Sequence, residues 1–412
     1  MGVVFRGKTV YTIYICKERG EPRFMWKAVG RWFSDYHRYT YHLLVLLCLA
    51  TSTYGCLLVY SANHYAGGGL RGFIIQPLAA GVGMLAALLM ARVDYADMAR
   101  LWPVFAVPAV GLMLLTYTPL GLNVTGTDDT AWLGFPIGSR NPWITFQPSE
   151  LLKIVFILTF SYHLYTVREH ISRLPTFLLL CLHGAFPALL VFLQGDDGTA
   201  LMFVIIFLCM LFAAGLRVWY FLVGGVGLVA ALPLLWNYFL DDYKRERFLC
   251  LLPSLVDKYK DGAGWQQYNG LKALGSGRLT GVGFLNGGSE HVYSRNADFI
   301  FTVAGEEFGY LGAVLVLVLL AGICIAIWRA ALRARDSLGF YLCIGMMAYV
   351  GFQSIINIGM ATRLLPVIGI TLPFFSAGGS SSATLYLGIG LVLSVWFSSG
   401  ARTPNTIFTH RS

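Results

Sequence analysis

The sequence predicts an all-α, polytopic integral membrane protein with about ten transmembrane helices. Hydrophobic residues make up 57% of the 412 residues, charged residues only 12%, and the mean hydropathy is +0.65. This composition excludes a soluble enzyme, a disordered protein and a disulfide scaffold. About 20 apolar residues cross a bilayer as a helix. Candidate spans lie at 41–62, 72–92, 101–119, 148–167, 174–194, 198–217, 218–240, 301–328, 338–360 and 380–399.

The distribution of Lys and Arg predicts the orientation of these helices. With the N-terminus inside, the inner segments carry 18 Lys and Arg residues, whereas the short outer turns carry only Arg71, Arg140 and Arg363. Basic residues collect on the cytoplasmic side of membrane proteins, so the net charge of +9 does not indicate a nucleic-acid partner. We therefore expect two cytoplasmic tails, 1–40 and 401–412, around a membrane domain over 41–400. A long extracellular loop, 241–300, separates helices 7 and 8.

A charged pair opens the fourth predicted helix. Gln147 and Pro148 lead into this helix, and Glu150 and Lys153 are three residues apart, so they share one helix face. Charges inside a membrane are costly and usually face a polar interior or a cavity. Two interpretations stay open: a pair that faces a substrate, and a buried structural pair.

Further acidic residues lie where the chain enters or leaves the predicted helices. Asp196 and Asp197 form a Gly-flanked turn, and Asp298 leads the long loop into the eighth helix, in which Glu306 and Glu307 lie deeper. A carboxyl group held against apolar surface has a raised pKa, which suits a general base. The competing interpretations are a solvated turn for the adjacent acids and a helix cap for Asp298.

A Gly- and Ser-rich stretch precedes the last predicted helix. Gly378 and Gly379 permit a tight backbone, and Ser380 and its neighbours can cap the helix that follows. A Gly-rich turn at a helix N-terminus also suits a phosphate group. The sequence contains no Cys/His cluster that predicts a metal site. The interrupted helices of many transporters are not evident either.

Six segments resemble the SEDS family of membrane proteins (shape, elongation, division and sporulation), which includes RodA, FtsW and SpoVE. The segments are QPSELLKI at 147–154, QGDDGTA at 194–200, GLKALGSGRLTGVGFLNG at 270–287, ADFIFTVAGEEFGYLG at 297–312, FQSIINIGM at 352–360 and LPVIGITLPFFSAGGSSS at 365–382. The resemblance covers about residues 41–400 and implies ten transmembrane helices with both ends cytoplasmic.

The resemblance also implies a function. It is that of a peptidoglycan glycosyltransferase, which polymerises lipid II, the undecaprenyl-pyrophosphate-linked disaccharide pentapeptide, at the outer face of the bacterial plasma membrane. The process served is cell elongation, division or sporulation. The implied partners are lipid II, the growing glycan strand and a class B penicillin-binding protein that supplies transpeptidation.

Residue roles follow from the same resemblance. Asp298 falls on the family's essential acidic residue, although Ala297 replaces the usual Thr, and it is the expected catalytic residue. Asp197 departs from the family pattern, so either acid of the turn can be the acting one. The family's Trp falls on Trp132 or Trp143, of which the spacing favours Trp132. The expected substrate-binding residues are Gln147, Glu150, Lys153, Asp196, Trp132, Glu306, Glu307 and Ser380.

The expected chemistry displaces pyrophosphate from an anomeric carbon by the 4-hydroxyl of an acceptor sugar. Asp298 suits the base, and Lys153 and helix N-termini suit the pyrophosphate, with help from Arg295 or Arg363. No cofactor is evident; a divalent cation can bridge a pyrophosphate, but the sequence shows no ligand set for one. Two alternatives stay open: a flippase that transports lipid II, and a non-catalytic scaffold for a penicillin-binding protein.

Overall fold

The computed structural model describes residues 41–65, 70–123, 130–136, 142, 144–288 and 292–400. The predicted tails 1–40 and 401–412, and Trp143, lie outside the described residues. Within the described ranges the α-helices are α1 His42–Tyr65, α2 Leu70–Met90, α3 Tyr95–Arg100, α4 Trp102–Leu115, α5 Pro148–Val167, α6 Leu174–Leu193, α7 Asp197–Ala213, α8 Val218–Leu234, α9 Asp242–Leu249, α10 Val256–Tyr259, α11 Trp265–Ser276, α12 Ile300–Arg333, α13 Ser337–Ala361 and α14 Gly379–Gly400.

Ten of these helices coincide with the predicted spans. Seven are long and apolar enough to cross a membrane, namely α1, α5, α6, α8, α12, α13 and α14, and three shorter apolar helices lie in α2, α4 and α7. The division of 198–240 into two helices is confirmed, because Gly215 turns the chain at a φ of 80° between α7 and α8. A helical membrane protein is thus confirmed, whereas the number of crossings and the cytoplasmic termini stay predictions.

Aspartates begin several of the helices. Their carboxylates accept a backbone N–H of the first turn and face the positive end of the helix dipole. The residues concerned are Asp94, Asp196, Asp241 and Asp336. These capping residues define where the helices begin, which the pattern of apolar residues alone does not specify.

The core of the bundle is mostly apolar, but it also encloses several polar and charged side chains. Glu150, Lys153 and Glu306 are buried, and so are Gln353 and Asn357. Apolar side chains cover the outside, as expected where lipid replaces water as the solvent. Helix α8 stands apart, because none of its described residues is buried.

Helix α12 is interrupted at Gly309, a break that was not evident from the sequence. Gly309 has a φ of 65° and a ψ of −161°, a conformation that only glycine adopts readily. The backbone N–H groups of Tyr310 and Leu311 donate to the carbonyls of Arg278 and Leu279. The break is not visible in the sequence because its hydrogen-bond acceptors come from a loop about 30 residues away.

The chain also forms a small antiparallel sheet, so the fold is mostly but not entirely α-helical. Its strands are β1 Gly121–Leu122, β2 Trp132–Phe135 and β3 Ile144–Phe146, in the order β1-β2-β3. The register pairs Leu122 with Trp132 and Leu133 with Phe146. The sheet lies in the predicted outer segment 120–147, directly before α5.

The long segment 241–300 packs against the bundle. It contains α9, α10 and α11, and Gln267 of α11 donates from Nε2 to the carbonyls of Met360, at 3.0 Å, and Leu365, at 2.7 Å. Arg363 Nη2 donates to the carbonyl of Cys250 at 2.8 Å. These bonds hold the segment over the end of α13.

Candidate active site

Asp298 is positioned by hydrogen bonds to its own backbone and to that of its neighbour. Asn357 of α13 donates from Nδ2 to the carbonyl of Asp298, at 2.8 Å, and to that of Ile370, at 2.7 Å. Ser376 Oγ donates to the carbonyl of Ala297 at 2.7 Å. The cap residue of α12 is Phe299, and no side chain makes the cap hydrogen bond. The carboxyl group of Asp298 is therefore not the cap of that helix.

Three predicted site residues from distant parts of the sequence meet beside α5 and α7. Asp196 accepts from the backbone N of Thr199 at 2.9 Å and from Nε2 of Gln147 at 3.0 Å. The backbone N of Gln147 lies 3.4 Å from Oγ of Ser380. Gln147 therefore joins the turn at Asp196 to the N-terminus of α14.

The two adjacent acids of the turn have different partners. Asp197 forms an ion pair with Lys244 of α9, with an Nζ–Oδ2 distance of 2.6 Å. Both side chains of this pair remain about 40% exposed (42% and 38%). Asp196, by contrast, is held by Gln147 and Thr199. The second acid thus ties the long segment to the turn.

Asp298 and Asp196 are close enough for their charges to interact, and the two are called the acidic pair below. Burial, and then the negative charge of Asp196, raise the pKa of Asp298 to about 6, while the nearby Arg247 guanidinium opposes the rise. Burial also raises the pKa of Asp196. A carboxylate with a pKa nearer to neutral is a stronger base than a solvated one. The site therefore contains a carboxylate suited to accept a proton from a hydroxyl group.

Glu150 and Lys153 belong to a closed network next to this acidic pair. Lys153 Nζ lies 2.9 Å from Glu150 Oε1 and donates to Gln353 Oε1 at 3.3 Å. Tyr349 donates to Glu150 Oε2 at 2.7 Å, and its ring centroid is 4.5 Å from Nζ. The Lys153 side chain is only 2% exposed. Its charge lowers the pKa of Asp196, against the effect of burial.

Glu306 and Glu307 form a second cluster in the short first half of α12. Glu306 pairs with Arg295 and accepts from the backbone N of Gly288 at 3.1 Å. Glu307 accepts from Ser61 of α1. The backbone carbonyls of both glutamates also accept N–H groups from the Gly-rich loop before α12. These contacts fasten that loop to the bundle, and none of them is to the Asp196–Asp298 pair.

Trp132 lies in β2 and is partly exposed. The carbonyl of Thr130, two residues earlier, accepts from Gln194 Nε2 at 3.4 Å. Gln194 precedes Asp196 by two residues, so the chain just before β2 lies beside the turn that holds Asp196. Among the residues that the structure describes, no group of three or more His, Cys, Asp and Glu side chains is arranged to hold a metal ion.

The FtsW/RodA/SpoVE family, described as "Cell cycle protein", matches residues 41–399 of the chain. The chain belongs to this SEDS family. It is similar to a "Probable peptidoglycan glycosyltransferase FtsW" of Geobacter sp. (strain M18), with 32% identity over 371 residues, which cover 86% of this chain and 96% of the relative. It is also similar to "Stage V sporulation protein E" of Bacillus subtilis (strain 168), with 31% identity over 86% of this chain and 96% of the relative.

A solved structure supports the same relationship. It is described as "Structural coordination of polymerization and crosslinking by a peptidoglycan synthase complex", and its matching chain has a TM-score of 0.72 and 28% identity. The match covers 86% of this chain and 97% of that one. This SEDS protein is accordingly a multi-pass plasma-membrane protein of peptidoglycan synthesis.

Several residues at the SEDS site were not singled out from the sequence. Gln76 of α2 donates from Nε2 to the backbone carbonyl of Ser376 and to Oγ of Ser382, both at 3.0 Å. Gln76 and Asn357 are polar residues within apolar spans, and that signal alone predicts a role inside the bundle. Arg247 gave no such signal, because it is one of eight basic residues in the long segment.

Proposed function

We propose that this SEDS protein polymerises lipid II into glycan strands at the outer face of the plasma membrane, with Asp298 as the general base. The observation that carries the proposal is the acidic pair, in which burial and Asp196 raise the pKa of Asp298 to about 6. The names of the relatives support the same reaction class.

In the proposed reaction, Asp298 takes the proton of the acceptor sugar's 4-hydroxyl. The resulting oxygen nucleophile attacks the anomeric carbon of the donor, a glycosidic bond forms, and undecaprenyl pyrophosphate leaves with the bonding electron pair. A base contributes most when its pKa lies near the working pH. Asp196 supports this role because its charge keeps the pKa of Asp298 high.

The leaving pyrophosphate needs positive charge beside the acidic pair. Arg247 suits this role, because its charge acts on Asp298 while its Nη1 is held by the carbonyl of Val367 at 3.1 Å. Lys244 lies on the same helix, α9. If a divalent cation bridges the pyrophosphate, Asp196 and Asp298 are the carboxylates available to hold it.

Lys153 has two possible roles in the proposed site. The sequence predicts contact with the pyrophosphate, which requires Nζ to leave its partners Glu150 and Gln353. In the closed network Lys153 acts instead through its charge on Asp196. The residues expected to bind substrate at Glu306, Glu307, Trp132 and Ser380 stay predictions in the same way.

A class B penicillin-binding protein is the proposed partner, since a glycan strand made here must be crosslinked. The structural relative described as a peptidoglycan synthase complex that coordinates polymerisation and crosslinking supports this pairing. The proposal also includes the predicted topology. A membrane domain over 41–400 lies between two cytoplasmic tails, and the segment 241–300 lies on the outer side.

The decisive experiment is polymerisation of labelled lipid II by the purified chain, alone and with a class B penicillin-binding protein. Asp298→Asn should abolish glycan strands while the protein stays folded, because an amide does not accept a proton at neutral pH. Asp257→Asn is the matched control, since Asp257 lies in the same segment and its side chain is 92% exposed. Full activity of Asp298→Asn would exclude Asp298 as the base.

A lipid II flippase is the second candidate, and the interrupted helix α12 favours it. Transporters often bind substrate at broken helices, typically in two corresponding positions of the chain. Gly309 provides one such break, and no second one lies inside a helix among the residues described. Transfer of fluorescent lipid II across a vesicle membrane, without polymer formation, would favour this candidate over polymerisation.

A further inference from the structure

Two histidines form a hydrogen-bonded pair inside the membrane bundle, away from the acidic site. Nδ1 of His163 in α5 lies 3.0 Å from Nδ1 of His183 in α6. The two rings are stacked, with centroids 5.2 Å apart. Phe156 and Phe160 contact the His183 ring edge-on. Since an unpaired polar group is costly in such surroundings, the remaining ring nitrogens should also have partners.

We assign the imidazole protons from these hydrogen bonds. Thr159 Oγ1 donates to the carbonyl of Phe156 at 3.2 Å and lies 3.2 Å from Nε2 of His183. With the hydroxyl proton used on that carbonyl, we assign Nε2–H of His183 as the donor to Thr159. A neutral imidazole has one N–H, so Nδ1 of His183 is the acceptor and Nδ1–H of His163 the donor. Nε2 of His163 is then a bare acceptor, and it has no hydrogen-bond partner among the described residues.

The pair lines a cavity of about 750 Å³ between α4, α5 and α6. This volume is in the range of small-molecule sites, about 300–1,000 Å³. The walls are mostly apolar, with Val110, Val155 and Phe186 among them, and the described lining contains no Lys, Arg, Asp or Glu. Val107 and Phe186 are exposed, and exposed apolar side chains on a membrane helix face lipid. An occupant can therefore enter from the bilayer and should be uncharged.

The position of His163 along α5 places its ring at the edge of the hydrocarbon region. Arg168, which follows α5, is five residues further on, about 7.5 Å along the axis at 1.5 Å per residue. Arginines at helix ends reach for the membrane interface. A lipid whose polar end lies at this depth can place its chain deeper in the cavity.

We propose that this cavity binds an uncharged lipid alcohol, with its hydrocarbon chain between α4, α5 and α6 and its hydroxyl donating to Nε2 of His163. The bare ring nitrogen calls for a hydrogen-bond donor, and the absence of charged side chains from the described lining disfavours a phosphate or pyrophosphate head group. The site is separate from the proposed glycosyl transfer and does not depend on it.

The ligand's hydroxyl provides the first test. The full-length chain in detergent is labelled with a photoactivatable 16-carbon alcohol. Three unlabelled compounds are compared as competitors of this labelling: hexadecanol, its methyl ether and hexadecyl phosphate. Hexadecanol should compete about two- to tenfold better than the ether, the value of one net hydrogen bond. Equal competition by the ether would overturn the proposal, and so would stronger competition by the phosphate, which would indicate an anionic lipid.

Substitutions provide the second test. His163→Phe keeps an aromatic ring but should abolish the preference for alcohol over ether. Gly111 lines the cavity, and a Cβ there meets nothing within 4 Å, so Gly111→Trp should fill the space and reduce labelling at least fivefold. Gly225→Trp is the matched control, because Gly225 of α8 also has open space around it.

A loss of labelling in these variants can be distinguished from misfolding. Thermal melting of each variant checks the fold, and Gly111→Leu replaces Gly111→Trp if the larger residue is not tolerated. Labelling that persists in a folded Gly111 variant would overturn the cavity as the site. An alcohol preference that persists in His163→Phe would overturn the role of the ring nitrogen.

Discussion

The carboxyl group of Asp298 is held where burial and the neighbouring Asp196 both disfavour its charge. The backbone bonds from Asn357 and Ser376 keep the residue there. At the scale of single residues, the charged form of Asp298 can therefore accept a proton, but its presence lowers the stability of the folded protein. This combination gives a measurable dependence on pH.

Asp298→Asn should stabilise the protein at pH 7.5. The pKa of Asp298 is raised from 3.8 to about 6 in the folded state, so above pH 6 the folded protein carries a disfavoured charge. As the pH falls from 6 to 4, the folded state takes up the proton first and the cost disappears. The cost is at most about 3 kcal/mol, and the partial exposure of Asp298 reduces it.

Thermal melting at pH 7.5 and pH 4 measures this difference. The melting temperature of Asp298→Asn should exceed that of the wild type at pH 7.5, and the gap should close near pH 4. The exposed Asp257→Asn change should leave both values unaltered. A lower melting temperature for Asp298→Asn at pH 7.5 would contradict the buried-charge account.

The adjacent acids Asp196 and Asp197 should differ in their effects on activity. Asp196→Asn removes the charge that raises the pKa of Asp298, so polymerisation should fall and its acidic pH limit should shift to lower pH. Asp197→Asn removes only a partly exposed ion pair with Lys244, worth about 1 kcal/mol or less. Lipid II polymerisation across pH 5–8 distinguishes the two, and equal losses in both variants would argue against this assignment.

At the scale of elements, helix α9 brings positive charge to the acidic pair. Arg247→Gln should raise the pKa of Asp298, because the opposing guanidinium is removed. The acidic limit of polymerisation should then move to higher pH. The catalytic efficiency with lipid II should also fall about 10- to 100-fold if a charged hydrogen bond to the pyrophosphate is lost.

Lys260→Gln is the matched control for Arg247→Gln. Lys260 lies in the same segment and pairs with the exposed Asp257, so its loss should change neither the pH profile nor the efficiency. An unchanged pH profile in Arg247→Gln would contradict an electrostatic effect of Arg247 on Asp298.

The break at Gly309 and the N-termini of α7 and α14 also act at this scale. The first turn of α7 places the N–H of Thr199 at the cap residue Asp196, and α14 begins beside Ser380. The short half of α12 directs Glu306 and Glu307 to the Gly-rich loop instead. These helix ends thus have different roles, which depend on the residues that each contacts in the folded protein.

At the scale of the whole molecule, the proposed orientation can be tested by cysteine labelling. In a background without the eight native cysteines, a cysteine replacing Asp257, in the long segment, should react with an impermeant reagent on whole cells. A cysteine replacing Ser337, at the start of α13, should react only after the membrane is permeabilised. The opposite pattern would overturn the outer location of the proposed reaction.

The sequence alone determined the membrane helices and most of the candidate site. The run of apolar residues in α5 or α13 is a local property, so the spans were predictable within a few residues. Asp298, Asp196, Gln147 and Ser380 were likewise predictable, because polar residues at the ends of apolar spans stand out and match family motifs.

Only the tertiary structure decided how these residues are used. It separated Asp196 from Asp197, enclosed Lys153 between Glu150 and Gln353, and brought the histidines of α5 and α6 together. These outcomes depend on contacts between segments distant in sequence. Burial and electrostatic energy depend on distances in space, which the order of residues along the chain does not specify.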